Sequence, residues 1–203
     1  MTTTYTLTYF DVRGRAEPIR LLLNLAAVPF EDVGLTYDQW GAHRATAPQG
    51  QLPYLTESVD GVATEIPQTM AIVRHLARVH GLDGRDERER LRADVAAETA
   101  LDLRVPHAQL RFSPAWNDDA ARAKFAAEVV PTHLARLDRR LGDAPWFASE
   151  APTYADVVVF DVLDRLLVTW PEILAAHPRL AAFADRLRAL PKLAGYLAHR
   201  RPA

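Results

Sequence analysis

The sequence predicts two domains of different class: an α/β domain with a mixed four-stranded sheet at residues 1–80, and an all-α helical bundle at residues 89–203. Strand-like and helix-like segments alternate in the first part, whereas apolar residues later recur only at helical spacing. A charged run, Arg85-Asp-Glu-Arg-Glu-Arg, marks the change, and we assign residues 81–88 to a linker. A chain of 203 residues can bury two such cores.

The first strand is expected at residues 4–10, which are all β-branched, aromatic or leucine. A turn at residues 11–14 then leads into a helix whose apolar residues share one side: Ile19, Leu22, Leu23 and Ala26. A second strand is expected at residues 29–35, followed by a short helix and loop around Trp40.

The rest of the first domain reads as a hairpin and a helix. Residues 51–56 and 62–66 have strand composition and flank a turn at Val59-Asp-Gly. A helix then begins at Gln68 and ends at Gly81. The order β-α-β-α-β-β-α is the thioredoxin-like arrangement, and the hairpin makes the sheet mixed.

The second domain is rich in alanine and shows no strand pattern. Helical spacing of Val130, Leu134, Leu137 and Leu141 predicts one helix from about Asp118 to Leu141. Thr153 and Asp156 form a Thr-x-x-Asp capping box before the nearly all-apolar residues 157–168, which predicts a helix at the domain centre. Two short helices bounded by prolines follow, at 178–190 and 192–199.

Composition argues against several function classes. A formal charge of −2 does not indicate a nucleic-acid or anionic-membrane partner. The chain has no cysteine, which excludes disulfides, cysteine nucleophiles and thiolate metal sites. No histidine pair has metal-ligand spacing, so no metal is expected. The first residues lack a basic region followed by an apolar run, and we expect a cytoplasmic protein.

The amino-terminal stretch also predicts a ligand site. Tyr9 ends the first strand beside the start of the first helix, and ligands bind at that edge in open α/β sheets. Arg13, Arg15 and the amino end of the helix suit an anionic ligand there.

Five motifs carry a resemblance to a known family: Leu-Thr-Tyr-Phe-x-x-Arg-Gly-Arg-Ala-Glu (7–17), Trp40, Gly-Gln-Leu-Pro (50–53), Gln-Thr (68–69) and the Thr-x-x-Asp cap. In this order and spacing, they make the chain resemble the tyrosine-type cytosolic glutathione transferases, the group of the alpha, mu, pi and sigma classes, over nearly its whole length. The resemblance implies a homodimeric detoxification enzyme that activates glutathione, its co-substrate, as a thiolate. The thiolate would be conjugated to small hydrophobic electrophiles.

The resemblance implies that Tyr9 and Arg15 are catalytic. A phenol with a pKa of about 10 keeps its proton at neutral pH and can stabilise a thiolate, which lowers the thiol pKa from about 8.5. Arg15 would add positive field at the sulfur. Its alternative is a helix-start arginine that pairs with Glu17 or contacts solvent.

A larger set of residues is implied to bind glutathione: Phe10, Trp40, Arg44, Gln51, Leu52, Pro53, Gln68, Thr69 and, from the other subunit, Asp102. The family has a cis-proline at the position of Pro53, so that the Leu52 backbone would pair with the cysteinyl part as an added strand. Gln68 and Thr69 would hold the γ-glutamyl carboxylate, and Trp40 and Arg44 the glycyl carboxylate.

Several roles have alternatives. Thr69 could be a plain N-cap, Trp40 a packing residue and Asp102 an exposed helix carboxylate. For the electrophile pocket, the family position gives Val12, Arg13, His107 and Leu110, although a helix-surface or packing role is favoured for His107 over that of a catalytic base.

The sequence departs from the family at Gln49, where alpha, mu and pi members carry an aromatic key for the partner subunit. This departure argues against a lock-and-key interface and leaves a flatter, polar, sigma-like interface open. Alternative functions are a glutathione-dependent isomerase of the prostaglandin-isomerase kind, a peroxidase, or a non-catalytic ligand-binding protein of the same fold.

Overall fold

The computed structural model describes residues 2–202 and divides them into two compact units. Residues 2–82 and 190–202 form the first, here called the sheet unit, and residues 83–189 form the second, the helical unit. Each unit has its own set of fully buried apolar side chains. Among residues 2–202, no helix is both long and apolar enough to span a membrane.

Four strands build the sheet unit: β1 (Thr3–Phe10), β2 (Glu31–Leu35), β3 (Tyr54–Val59) and β4 (Val62–Pro67). Their order in the sheet is β2-β1-β3-β4. β1 is parallel to β2 and antiparallel to β3, and β3 is antiparallel to β4. The predicted mixed four-stranded sheet is confirmed. β1 lies inside the sheet, and its side chains Leu7 and Tyr9 are buried.

Three helices follow these strands in the sheet unit: α1 (Glu17–Leu25), α2 (Tyr37–His43) and α3 (Thr69–Val79). A 3-10 turn at Gly14–Ala16 joins β1 to α1. The apolar faces of α1 and α3 are fully buried, as Ile19, Leu23 and Leu76 show. Burial of such side chains stabilises the unit by roughly 1.5–3 kcal/mol each.

The helical unit contains α4 (Glu87–Arg111), α5 (Asp119–Glu128), α6 (Val130–Leu141), α7 (Tyr154–Thr169) and α8 (Pro178–Arg188). α7 is the central helix, and Val157, Val159 and Phe160 have no exposed surface. The predicted capping box is present at its start. The Asp156 carboxylate accepts hydrogen bonds from the Thr153 N–H at 2.7 Å and from the Phe147 N–H at 2.9 Å.

The prediction of one helix from about Asp118 to Leu141 is wrong. The structure has two helices there, α5 and α6, separated at Val129. Pro131 accounts for the break, because proline has no N–H to donate and its ring clashes with the preceding turn, which kinks or ends a helix. Proline is tolerated in the first turn of a new helix, and α6 begins in that way.

The last helix, α9 (Pro191–His199), belongs to the sheet unit, where it packs against α1. The domain ranges predicted from sequence instead place residues 190–203 with the helical bundle. Composition cannot separate α9 from the other C-terminal helices, since all of them are alanine- and leucine-rich. The compact units thus differ from the predicted ranges at the carboxyl-terminal segment.

Candidate active site

The candidate site is built around Tyr9 at the carboxyl end of β1. Tyr9 lies opposite Gly34 of the parallel strand β2, and its side chain is 8% exposed. The chain then turns through Gly14, which has a φ of +41°. A Cβ at Gly14 would lie 2.5 Å from the Tyr9 hydroxyl, so only glycine fits against this ring.

The Tyr9 hydroxyl is held by a backbone donor. The Arg15 N–H donates to the Tyr9 oxygen at 3.0 Å. A phenol has one proton to donate and two lone pairs that can accept. This bond occupies a lone pair, so the phenol proton stays available to an acceptor outside the loop.

The start of α3 is connected to the same loop. The Thr69 hydroxyl donates to the Arg15 carbonyl at 3.2 Å, and the Arg15 side chain itself is exposed. Gln68 precedes α3 with a φ of +75°, a conformation that a non-glycine residue adopts at a cost of roughly 1–3 kcal/mol. Such strained residues cluster at ligand sites.

The Gln68 side chain links α3 to the loop before β3. Its Nε2 donates to Gln51 Oε1 at 3.2 Å and to Gln49 Oε1 at 3.0 Å. The Leu52–Pro53 peptide bond that follows is cis, as the resemblance implies. The structure thus brings Gln51 and Gln68 together within the sheet unit.

Aromatic rings extend the site toward α2. The Phe10 ring centroid lies 5.4 Å from that of Tyr9 and 6.2 Å from that of Trp40, both edge-to-face. Arg44 follows α2, and its side chain is exposed. Trp40 therefore packs on Phe10, and Arg44, four residues later in the chain, places a positive charge in solvent.

The electrophile candidates are split between the two units. In the sheet unit, the Val12 side chain is 36% exposed and that of Arg13 is 7% exposed. In the helical unit, Leu110 of α4 is half-buried and Asp102 of the same helix is exposed.

His107 is packed inside its own unit. Its ring lies about 6 Å from those of Trp116, Phe125 and Trp170. Burial, followed by the nearby Arg165, lowers the pKa of His107 to about 4. This environment fits the packing alternative and weighs against a place in an electrophile pocket.

Sequence reasoning missed the charged residues behind the Tyr9 loop. Arg20 is fully buried on α1, and its Nη1 donates to the carbonyls of Val12 and Arg13 at 2.9 and 3.1 Å. Its Nε pairs with Asp32 at 2.9 Å. The available signal was an arginine on the apolar side of the predicted first helix.

The described part of the chain contains no group of three or more His, Asp or Glu residues that could hold a metal ion. Apart from the Asp11 carboxylate, the polar groups at the Tyr9 edge are hydroxyls, carboxamides, backbone N–H groups and guanidinium groups. These are donors for an anionic organic ligand.

The structure thus combines a four-stranded sheet unit that has Tyr9 near the end of β1 with a separate helical unit. A family model described as "Glutathione S-transferase, N-terminal domain" matches residues 5–78, and one described as "Glutathione S-transferase, C-terminal domain" matches residues 101–200. The chain belongs to the glutathione S-transferase family. It is accordingly a transferase with glutathione as its co-substrate, which confirms the resemblance seen in the motifs.

Individual relatives cover nearly the whole chain. Glutathione S-transferase Mu 2 of Mus musculus is 37% identical over 202 residues, covering 95% of this chain and 89% of the relative. Hematopoietic prostaglandin D synthase of Gallus gallus is 37% identical over 201 residues, covering 97% and 96%. The solved structure of a sigma class transferase of Fasciola hepatica superimposes with a TM-score of 0.92 at 31% identity, covering 99% and 98%.

Proposed function

We propose that Tyr9 and Arg15 hold the sulfur of glutathione as a thiolate, which attacks a small hydrophobic electrophile. The observation that carries this proposal is the Arg15 N–H bond to the Tyr9 oxygen, which occupies a lone pair of that oxygen and leaves the phenol proton available to a ligand. The phenol donates that proton in a hydrogen bond to the thiolate and so stabilises the nucleophile. On an aryl halide, a sulfur–carbon bond forms, the halide leaves with its bonding electrons, and the thiol proton passes to solvent.

The rest of glutathione would contact the amino end of α3, the backbone at Leu52 and the residues of and after α2. Thr69 and Gln68 at the amino end of α3, with Gln51 beside them, suit the γ-glutamyl carboxylate. The Leu52 backbone next to Pro53 would pair with the cysteinyl part as an added strand. Trp40 and Arg44 would hold the glycyl carboxylate, with Phe10 packed between Tyr9 and Trp40.

The electrophile would lie against the loop after β1, where the 36% exposed Val12 offers an apolar surface. Arg13 contributes mainly by shaping this loop, since its side chain is buried.

The test is an ultraviolet titration of thiolate absorbance for glutathione bound to the wild type and to Tyr9→Phe. We expect a bound thiol pKa below the usual value of about 8.5 in the wild type and a return toward it in the variant. Turnover should fall by about 10² or more in Tyr9→Phe, while glutathione affinity changes little.

Tyr5→Phe is the matched control, because Tyr5 lies on the same strand but its hydroxyl contacts His80 at 3.3 Å. It should leave the thiol pKa unchanged. Normal turnover in Tyr9→Phe would show that this tyrosine does not have the proposed role.

A second candidate function is glutathione-dependent isomerisation. The observation that favours it is the 37% identity to a relative named hematopoietic prostaglandin D synthase. For isomerisation, the activated thiolate would attack an endoperoxide oxygen or an unsaturated carbon and then be released unchanged. For peroxide reduction, the thiolate would attack one peroxide oxygen, the O–O bond would break, and the alkoxide would take a proton from solvent to leave as the alcohol. The resulting glutathione sulfenic acid would react with a second glutathione to give the disulfide and water. Parallel assays with an aryl halide, an organic hydroperoxide and a prostaglandin endoperoxide distinguish these reactions from conjugation and from ligand binding without turnover.

We also propose a cytoplasmic homodimer in which Asp102 reaches the γ-glutamyl amine bound by the partner subunit. Asp102 lies on α4 between two exposed apolar side chains, Leu91 at 62% and Val105 at 57%. Sedimentation equilibrium should give about twice the chain mass of 22.6 kDa. A monomer at micromolar concentration would contradict both the dimer and the role of Asp102.

A further inference from the structure

The end of the chain contacts the loop that carries the Tyr9 site. We call the four residues Tyr196, Arg200, Arg201 and Pro202 the carboxyl-terminal clamp. The Arg13 N–H donates to the Pro202 carbonyl at 2.9 Å. This hydrogen bond joins positions 189 residues apart in sequence, within the sheet unit.

Arg201 makes most of the polar contacts of the clamp. Its Nη1 lies 2.9 Å from Asp11 Oδ1 and donates to the Phe10 carbonyl at 3.4 Å. Its Nη2 donates to the Asp32 carbonyl at 2.8 Å, and its Nε lies 3.1 Å from Asp32 Oδ2. The guanidinium therefore joins the end of β1 to β2, and its fork geometry allows these several bonds at once.

β2 leaves space for this guanidinium at Gly34. A Cβ on Gly34 would lie 2.4 Å from Arg201 Nη1 and 3.0 Å from Asp11 Oδ1. Any larger residue at this position would displace the Arg201 guanidinium, so the contacts of Arg201 depend on a glycine at position 34.

A second layer of contacts lies beneath the loop. The Tyr196 hydroxyl donates to Glu17 Oε2 at 2.7 Å, and Arg200 Nη1 lies 3.6 Å from Glu17 Oε1. Glu17 is 1% exposed on α1. Arg20, one turn further along α1, donates to the Val12 and Arg13 carbonyls. Residues 10–13 are thus held by the clamp on one side and by α1 on the other.

The held segment directly precedes the groups that orient Tyr9. Gly14 packs on the Tyr9 ring, and the Arg15 N–H fixes the Tyr9 oxygen. A shift of residues 10–13 would move both relative to β1. Displacements of about 1 Å at such groups can cost up to 10²-fold in rate.

We propose that Arg201 is a positioning residue for the transferase reaction, which fixes the loop at residues 10–13 so that the Tyr9 hydroxyl is oriented toward the sulfur. The inference rests on the role proposed for Tyr9. It adds the carboxyl-terminal clamp to the groups that determine thiol activation.

The test compares Arg201→Ala with Arg179→Ala. Arg179 is the matched control, because it also bridges two carboxylates, Asp138 and Asp143, but lies in the helical unit. Three quantities are measured: the pKa of the bound glutathione thiol, kcat/KM with 1-chloro-2,4-dinitrobenzene, and the Kd of S-methylglutathione, which has no thiol proton.

We expect Arg201→Ala to raise the bound thiol pKa by about half a unit and to lower kcat/KM about tenfold. The Kd of S-methylglutathione should stay within about twofold, since positioning acts on the sulfur and not on the rest of the ligand. Arg201→Lys should recover only part of the loss, because an ammonium cannot make the forked contacts. Gly34→Ala should reproduce the loss with the arginine still present.

Equal thiol pKa and kcat/KM in Arg201→Ala and Arg179→Ala would overturn the proposal. So would loss of folding in Arg201→Ala, Arg201→Lys and Gly34→Ala together, because the clamp would then serve stability alone. An unshifted thiol pKa in the wild type is a different result, since it would refute the role of Tyr9 itself.

Discussion

The sheet unit and the helical unit differ in their content of unfavourable backbone conformations. Within residues 2–202, the non-glycine residues with positive φ are Ala27, Gln49, Asp60 and Gln68, and all of them lie in the sheet unit. Two of these, Gln49 and Gln68, are hydrogen-bonded to each other at the candidate site. The helical unit instead buries long apolar faces on regular helices.

The units also use buried charge differently. In the sheet unit, Arg20 and Glu17 bind the loop backbone and the clamp around Tyr9. In the helical unit, Asp156 caps α7, and Glu89 accepts from the Arg85 N–H at the start of α4. The buried charges named in the sheet unit therefore hold the loop and the chain end beside Tyr9, whereas those named in the helical unit stabilise the first turns of helices.

Among the variants that test this difference between the units, Gly14→Ala should have the largest effect, a loss of kcat/KM. The added Cβ would lie 2.4 Å from Tyr9 Cε1, and the φ of +41° is unfavourable for alanine. We expect kcat/KM to fall by about 10² or more because the tyrosine must move. Steady-state kinetics with glutathione and an aryl halide measure this.

Gly61→Ala is the control for Gly14→Ala. Gly61 also has a positive φ, +86°, but no atom lies within 4 Å of the added Cβ. It should cost only about 1 kcal/mol of stability and leave kcat/KM unchanged. If the two variants had the same kinetics, backbone strain and not the Tyr9 contact would explain the glycine.

His107→Phe should have a smaller effect, a change in the pH dependence of stability that appears only at acidic pH and arises in the helical unit. Burial lowers the pKa of His107 to about 4, with Arg165, Arg111 and Arg104 acting in the same direction and Asp161 opposing them. The unfolded state therefore binds the proton more tightly. The contribution of neutral His107 to stability is present above about pH 6.5 and is lost as pH falls toward 4.

Urea unfolding at pH 7.0 and pH 4.5 measures the effect. Between these values the wild type should lose about 2 kcal/mol more than His107→Phe, which has no group to protonate. Burial raises the pKa of Asp156 to about 6 and gives the opposite slope, but in both proteins alike. Equal losses would mean that His107 does not resist protonation in the folded state.

Sequence patterns predicted those features that depend on residues close together in the chain. The strand composition of residues 4–10, the capping box at Thr153 and the turn at Asp60 and Gly61 each depend on neighbouring residues, and the structure has them all. The position of Tyr9 at the sheet edge followed from the same reasoning.

Contacts between residues that are far apart in the sequence could not be predicted from such local patterns. No local pattern shows that Arg201 contacts Asp11 and Asp32, or that α9 packs on α1. Pro131 indicated the division of residues 118–141 into α5 and α6, but the helical spacing of the apolar residues from Val130 to Leu141 led to the prediction of one helix. The aromatic surroundings of His107 likewise come from three separate elements of the helical unit.

The sheet unit is interrupted in sequence by the whole helical unit, because it consists of residues 2–82 and 190–202. During synthesis, which adds about 5–20 residues per second, the β1–β4 sheet can form while the helical unit is still being translated. The loop beside Tyr9 obtains its contacts from Arg201 and Pro202 only when the last of these residues leaves the ribosome. A nascent chain would therefore complete its helical unit before it forms the contacts of Arg201 and Pro202 beside Tyr9.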